Sequence, residues 1–142
     1  MTEVILVAHG KLAIELKNSL NMIFGETPQF HAVSFLPNEG FDTVKGKIEA
    51  LLPELGEQIL IMTDIFGGTP FNAACAVAMG AEGKAIEVIS GMSMPLALEA
   101  VVLLEGGEAA SIANTLIESS KQMVKRFEAP VHAEEELEDD EL

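Results

Sequence analysis

Residues 58–72, QILIMTDIFGGTPFN, decide the fold of this chain, because they join a strand, a glycine turn and the start of a helix. The apolar run at 58–62 is typical of a strand that is covered on both faces. Asp64 follows that strand almost directly, and a glycine pair then allows a turn. Thr69 is a favoured N-cap, and Pro70 is favoured at the first helical position, so a helix is predicted to begin here.

This turn has the composition of an anion-binding site. The first N–H groups of a helix have no partner within the helix, and the helix dipole adds positive character to the same end. A phosphoryl group is the most common anion held in this way. The predicted phosphoryl-binding residues of the turn are Gly67, Gly68, Thr69 and Phe71.

Outward from this stretch, predicted strands and helices alternate along the chain. This alternation predicts an α/β fold, a three-layer sandwich around a mainly parallel four-stranded sheet, for which we expect the common strand order 2-1-3-4. Pro53 is expected to break the last turn of the second helix. Strands are predicted at 3–8, 29–36, 58–63 and 85–90, and helices at 11–24, 41–55, 70–79, 95–104 and 108–127.

A second polar feature ends the first predicted strand, at His9 and Gly10. In the order 2-1-3-4, the first and third strands are neighbours, so His9 and Asp64 should meet at the carboxyl edge of the sheet, where α/β proteins bind ligands. A carboxylate that holds one imidazole nitrogen leaves the other as a nucleophile. Gly10 allows a sharp turn beside the ring and is a further candidate phosphoryl-binding residue. These residues predict reversible phosphoryl transfer through phosphohistidine.

Composition narrows the class of protein. The chain has 142 residues, a formal net charge of −15, and neither Trp nor Tyr, which argues against nucleic acid and anionic membranes as partners. The single cysteine, Cys75, permits no internal disulfide and fits a reducing cytoplasm. Residues 128–142 carry eight acids and no Lys or Arg. We therefore predict one domain at 1–127, followed by an acidic tail at 128–142 that is expected to be disordered.

Four segments together resemble the enzyme IIA domain of the mannose family of the bacterial phosphotransferase system. The resemblance covers about residues 1–127. Ser93 departs from the family, which often has Asn in the corresponding loop. The segments are Val7-Ala8-His9-Gly10, Phe35-Leu36-Pro37, Asp64-Ile65-Phe66-Gly67-Gly68-Thr69-Pro70-Phe71-Asn72 and Ser90-Gly91-Met92-Ser93-Met94-Pro95.

The resemblance implies a role for each catalytic candidate. His9 would take a phosphoryl group from the phosphocarrier protein HPr and pass it to a IIB subunit, Asp64 would hold the ring, and Thr69 would help to bind the phosphoryl group. No metal or organic cofactor is implied. The resemblance also implies a cytoplasmic homodimer, with a swapped edge strand near the C-terminus, that associates with the membrane subunits IIC and IID without entering the membrane.

Four apolar residues near the predicted site are candidates for a partner interface. An aromatic side chain on an active-site loop can anchor an interface, and methionines adapt to different partners. Leu36 follows the second strand, Phe66 lies in the glycine turn, and Met92 and Met94 lie in the loop after the fourth strand.

Two alternatives remain open within this reading. The phosphoryl-donor subunit of a dihydroxyacetone kinase has a similar fold and also uses a histidine, although Phe71 and Asn72 favour the sugar system. A non-catalytic regulator could bind a phosphorylated ligand through the same loop. A histidine phosphatase is disfavoured, because Arg126 is the only arginine and such sites surround phosphate with arginines.

Overall fold

The structure is a computed structural model that describes residues 1–131, so most of the predicted acidic tail at 128–142 lies outside the described residues. The elements alternate as the sequence predicted. The strands are β1 (Glu3–His9), β2 (Phe30–Phe35), β3 (Gln58–Thr63) and β4 (Ala85–Ile89), and the helices are α1 (Leu12–Phe24), α2 (Phe41–Leu51), α3 (Thr69–Gly80), α4 (Met94–Leu103) and α5 (Ala109–Ser119).

The four strands form one parallel sheet in the order β2-β1-β3-β4, which confirms the predicted order. β1 lies at the centre, where Leu6 is opposite Ala32 of β2 and Met62 of β3. Because β1 and β3 are adjacent and parallel, the residues that follow them emerge side by side at the carboxyl edge. This neighbourhood brings together two segments more than fifty residues apart, as His9 and Asp64 show.

Successive residues of β1 enter two different hydrophobic cores. Val4 and Leu6 are fully buried in the core formed with α1, α4 and α5, whereas Ile5 and Val7 are fully buried in the core formed with α2 and α3. Full burial of such a side chain stabilises the fold by about 1.5–3 kcal/mol. Helices on both faces therefore explain why β1 is continuously apolar rather than alternating.

The second helix ends where the sequence predicted a break, whereas the last helix is shorter than predicted. α2 ends at Leu51 and passes into a 3-10 turn at Leu52–Glu54, as expected from Pro53. The prediction of a last helix over 108–127 was wrong, because α5 ends at Ser119 and only a 3-10 turn follows. The Ser120 hydroxyl donates to the Ile117 carbonyl over 2.7 Å, which competes with helical hydrogen bonding. Beyond that turn, Phe127 is 80% exposed, so a longer helix would gain no buried face.

The sheet formed by residues 1–131 has four strands, and no fifth strand follows β4 in that range. Among these residues, none forms the edge strand that the resemblance implies, and β4 is left as an edge. Nor does any helix within residues 1–131 have the length and apolar character needed to cross a bilayer.

Candidate functional site

The carboxylate of Asp64 holds His9 at two points. Asp64 Oδ2 accepts the backbone N–H of His9 over 3.0 Å and lies 2.8 Å from Nδ1 of the same residue. The other oxygen, Oδ1, accepts the backbone N–H of Ile65 over 3.0 Å. Both oxygens thus have partners, and the carboxylate cannot rotate without breaking one of these contacts. The predicted pairing of His9 with Asp64 is present in the structure.

The two side chains differ in exposure. The His9 side chain is 49% exposed, whereas the Asp64 side chain is 11% exposed and lies behind the ring. An ionised carboxylate only accepts, so it favours the tautomer with hydrogen on Nδ1 and a lone pair on Nε2. No hydrogen bond from residues 1–131 reaches Nε2. The nitrogen that keeps its lone pair therefore has no hydrogen-bond partner among these residues, in a side chain that is half exposed.

The environment of Asp64 favours its charged form. Burial raises the pKa of the carboxyl, but hydrogen bonds from the His9 N–H, the His9 ring and the Ile65 N–H, together with the charge of a protonated His9, outweigh burial. The net effect lowers the pKa below its ordinary value. Asp64 is therefore an anion at neutral pH and can neutralise positive charge that develops on the imidazole.

Helix α3 begins one residue earlier than the sequence predicted. The N-cap is Gly68 rather than Thr69, and no side chain caps the helix. The Gly68 carbonyl accepts the N–H of Asn72 over 2.8 Å, so Thr69 occupies the first helical position. Gly68 takes this place because its extended backbone leads directly into the helix. The N–H groups of Gly68, Thr69 and Phe71 consequently have no partner within the helix.

The start of α3 lies against the imidazole. A Cβ atom built on Gly68 would lie 3.2 Å from Cε1 of His9, so the glycine backbone packs directly beside the ring. Cε1 separates the two ring nitrogens, and Nδ1 already faces Asp64. The helix start therefore borders the Cε1 edge of the ring, next to Nε2. Gly10, which follows His9, and Gly67, which precedes Gly68, have φ of +61° and +85°, backbone conformations that other residues rarely adopt.

The four candidate residues for a partner interface differ in how exposed they are. Phe66 is 79% exposed, and its ring lies 4.6 Å from that of Phe71. Leu36 is half-buried. Met92 and Met94 are also only partly exposed, because both pack against the core formed with α1, α4 and α5. Of the four, Phe66 offers the largest apolar surface to a partner.

Sequence reasoning missed two exposed aliphatic residues beside the site. Ile65 is 54% exposed, and Leu12, at the start of α1, is 49% exposed. Both lie within three residues of His9 or Asp64 along the chain. Their position shortly after these polar residues could have identified them, because residues that follow a strand end at the carboxyl edge surround the site.

Sequence reasoning also missed the aromatic neighbour of His9. The ring centroids of His9 and Phe35 are 5.4 Å apart, with the planes inclined at 61°. The two residues are opposite each other in the register of β1 and β2. Strand order alone does not give register, so this contact could not be predicted from sequence.

No group of three or more His, Cys, Asp and Glu side chains in the described part of the chain is arranged to hold a metal ion. The arrangement that is present consists of an imidazole with one nitrogen anchored, an anion behind it and unpaired helix N–H groups beside it. Such a site can accept and release a phosphoryl group.

Comparison with known proteins agrees with this chemistry. Residues 3–117 match the family described as "PTS system fructose IIA component", EIIA-man. The chain is 41% identical over 101 residues to the sorbose-specific EIIA component of Lacticaseibacillus casei, a match that covers 70% of this chain and 72% of that protein. It is 37% identical over 124 residues to the fructose-specific EIIA component of Bacillus subtilis, covering 86% and 84% of the two chains.

Solved structures show the same fold. The mannose/sorbose specific IIA subunit from Enterococcus faecalis superposes with a TM-score of 0.82 at 28% identity, over 91% of this chain and 96% of that one. The EIIA component from Streptococcus agalactiae has a TM-score of 0.83 at 27% identity, over 89% and 98%.

Proposed function

The chain belongs to the fructose/mannose IIA family of the phosphotransferase system, and we propose that it is a phosphocarrier that receives and donates a phosphoryl group through His9. The observation that carries this proposal is the 2.8 Å contact between His9 Nδ1 and Asp64. It leaves Nε2 accessible and nucleophilic beside the start of α3.

The proposed step is a displacement at phosphorus. The Nε2 lone pair of His9 attacks the phosphoryl group of a donor phosphohistidine, a new P–N bond forms, and the donor imidazole leaves with the electron pair of the old bond. The hydrogen on Nδ1 stays in its bond to Asp64. Phosphorylated His9 then carries positive charge on its ring, which the Asp64 carboxylate stabilises. The reverse displacement passes the group to the acceptor.

We propose that hydrogen-bond donors at the start of α3 bind the phosphoryl oxygens. The N–H groups of Gly68, Thr69 and Phe71, with the Thr69 hydroxyl, would stabilise the negative charge of the transferring group. Gly67 and Gly10 let the backbone approach the ring closely. These roles are supported by the contact between Gly68 and the imidazole.

The proposed donor is HPr, and the proposed acceptor is a IIB subunit. Both transfers require another protein to reach Nε2, which is consistent with a half-exposed ring bordered by exposed apolar residues. Leu12, Ile65 and Phe66 would supply that apolar surface, and we propose that Leu36, Met92 and Met94 extend it. We place the protein in the cytoplasm, associated with the membrane subunits IIC and IID through IIB.

The resemblance to the family also supports a homodimer. β4 is an open edge of the sheet, and an unpaired edge readily accepts another strand. The segment after α5 carries Val124, 94% exposed, and Phe127, 80% exposed, which a partner subunit would cover. We propose that two chains associate through this edge and segment.

The test is phosphorylation in a reconstituted system. The protein is incubated with enzyme I, HPr and labelled phosphoenolpyruvate, and we expect an acid-labile label that His9→Ala abolishes. His31→Ala is the matched control, because His31 pairs with Glu3 at the other end of the strands, and its label should be unchanged. An unlabelled wild-type protein would instead favour the regulatory binding module. If a dihydroxyacetone kinase subunit accepted the labelled phosphoryl group and IIB did not, the result would favour the donor-subunit alternative.

A further inference from the structure

Phe35, the last residue of β2, packs against the imidazole of His9. The ring centroids are 5.4 Å apart and the planes are inclined at 61°, an edge-to-face arrangement. Aromatic pairs in this geometry gain more than the area they bury, so the orientation of one ring restricts the other. The ring of Phe35 is therefore a physical constraint on His9 in addition to Asp64.

The backbone fixes Phe35 at this position. The N–H of Gly10 donates to the Phe35 carbonyl over 2.7 Å, and the N–H of Phe35 donates to the Gly10 carbonyl over 3.2 Å. This reciprocal pair ties the end of β2 to the residue that follows His9. The backbone of Phe35 cannot move away from Gly10 without losing both hydrogen bonds.

Lys47 of α2 holds the chain on both sides of Phe35. Its Nζ donates to the Ser34 carbonyl over 3.0 Å, to the Ser34 hydroxyl over 3.2 Å and to Glu39 Oε1 over 2.7 Å. The same Glu39 oxygen accepts the N–H of Leu36 over 2.9 Å. These contacts, the Lys47 clamp, connect the residues before and after Phe35 to a helix.

We propose that Phe35 is a positioning residue for His9, and that the Lys47 clamp holds it in place; the proposal rests on the proposed function. Asp64 anchors Nδ1 and Gly68 lies against Cε1. The aromatic ring of Phe35 adds a third contact, and together the three resist rotation of the imidazole about its Cβ–Cγ bond. Nε2 is thereby kept at the start of α3.

The test compares two identical changes on one strand. Phe35→Leu keeps an apolar side chain but removes the flat ring. Phe30→Leu makes the same change at the start of β2, where Phe30 is fully buried in the core formed with α1, α4 and α5. The rate of phosphoryl uptake from phospho-HPr is measured by rapid quench. Nitrogen-15 NMR of the unphosphorylated proteins reports the fraction of His9 with hydrogen on Nδ1.

We expect Phe35→Leu to slow uptake about two- to tenfold, the factor that an aromatic pair contributes, and to lower the fraction with hydrogen on Nδ1. Phe30→Leu should change neither. Wild-type values in Phe35→Leu would overturn the proposal. Equal changes in both variants would also overturn it, because they would indicate a general effect on β2.

The Lys47 clamp is tested by Lys47→Met, with Lys45→Met as the matched control. Lys45 lies on the same helix and forms only a solvent-exposed pair with Glu49 over 3.5 Å. We expect Lys47→Met to shift the His9 spectrum in the direction of Phe35→Leu, and Lys45→Met to leave it unchanged. An unshifted Lys47→Met spectrum would overturn the clamp. If wild-type protein takes up no phosphate, the proposed function fails, and the spectra still decide whether Phe35 orients the ring.

Discussion

At the scale of single residues, the site depends on one carboxylate that does three things. Asp64 anchors the backbone N–H of His9, selects the tautomer of its ring and lies close enough to neutralise charge on it. Hydrogen bonds to an ionised group are stronger than neutral ones, and partial burial shields this one from solvent. The chemistry of His9 is therefore set by Asp64 more than by the imidazole itself.

Replacing Asp64 by Asn should slow phosphoryl uptake while the protein still folds. The amide preserves shape but removes the charge, so uptake from phospho-HPr should fall about ten- to hundredfold, the factor for a hydrogen bond to a charged group. Rapid-quench kinetics measure the rate, and circular dichroism checks folding. Asp42→Asn, in the exposed first turn of α2, should behave as wild type. An unchanged rate in Asp64→Asn would exclude Asp64 as the residue that orients the ring.

The lowered pKa of Asp64 predicts a pH-dependent contribution to stability. The carboxyl has a folded-state pKa below its ordinary value of 3.8, so its contribution is complete well above 3.8 and is lost as pH falls through the lowered value. Urea unfolding of wild type and Asp64→Asn at pH 7 to 2 measures it. The wild-type advantage in unfolding free energy should shrink across this acid range. A constant difference would show that the charge of Asp64 contributes nothing.

At the scale of elements, two strand ends and one helix start meet at the carboxyl edge of the sheet. β1 ends at His9, and β3 leads into Asp64 and then into α3. The close approach of α3 requires a glycine at its N-cap, because Gly68 has no side chain to displace the imidazole. The turn between β3 and α3 thus brings the unpaired N–H groups of the helix start beside His9, the proposed nucleophile.

An alanine at position 68 should disturb the site without preventing folding. The Gly68 backbone has φ of −82°, which alanine adopts readily, but the new methyl group would lie 3.2 Å from His9 Cε1. We expect slower phosphoryl uptake and a shifted His9 NMR spectrum.

The control for this change is Gly46→Ala on the exposed face of α2, where a methyl group meets nothing within 4 Å. It should raise the unfolding free energy by about 0.5–1 kcal/mol, the helical cost of glycine, and leave uptake unchanged. Equal rates of uptake by Gly68→Ala and wild type would show that the site accommodates the methyl group without displacing the imidazole.

At the scale of the whole molecule, the site and the proposed subunit contact use different parts of the sheet. The site lies at the carboxyl edge, where β1 and β3 end, whereas β4 is an outer strand of the sheet. A dimer formed along β4 would leave His9 open to HPr and IIB. The remaining surface is acidic, with a formal net charge of −15 for the chain, which favours basic partners.

The proposed dimer predicts a measurable mass. Light scattering after size exclusion should give twice 15.1 kDa for the wild-type protein. Phe127→Asp should reduce the dimer, because a charge buried at a subunit contact is costly. Met79→Asp, at an 84% exposed residue of α3, should leave the mass unchanged. A wild-type mass of one chain would contradict the dimer and leave the phosphoryl-transfer proposal intact.

Local sequence by itself determined which strands and helices follow one another and which two side chains pair at the site. Unbroken apolar runs specified buried parallel strands, and the residues after two of them identified His9 and Asp64 as partners once the strand order was inferred. Pro53 marked the end of α2 for a local reason, since proline cannot continue the hydrogen bonding of a helix. These features depend on patterns within a few residues.

Only the tertiary structure decided what depends on register and burial. The packing of Phe35 on His9, the Lys47 clamp and the second hydrogen bond to Asp64 join residues whose spacing is set by the offset between strands, which no local pattern encodes. The last helix was overpredicted for a related reason. Helical propensity continues beyond Ser119, but a helix persists in water mainly where tertiary contacts bury one face, and Val124 and Phe127 are exposed.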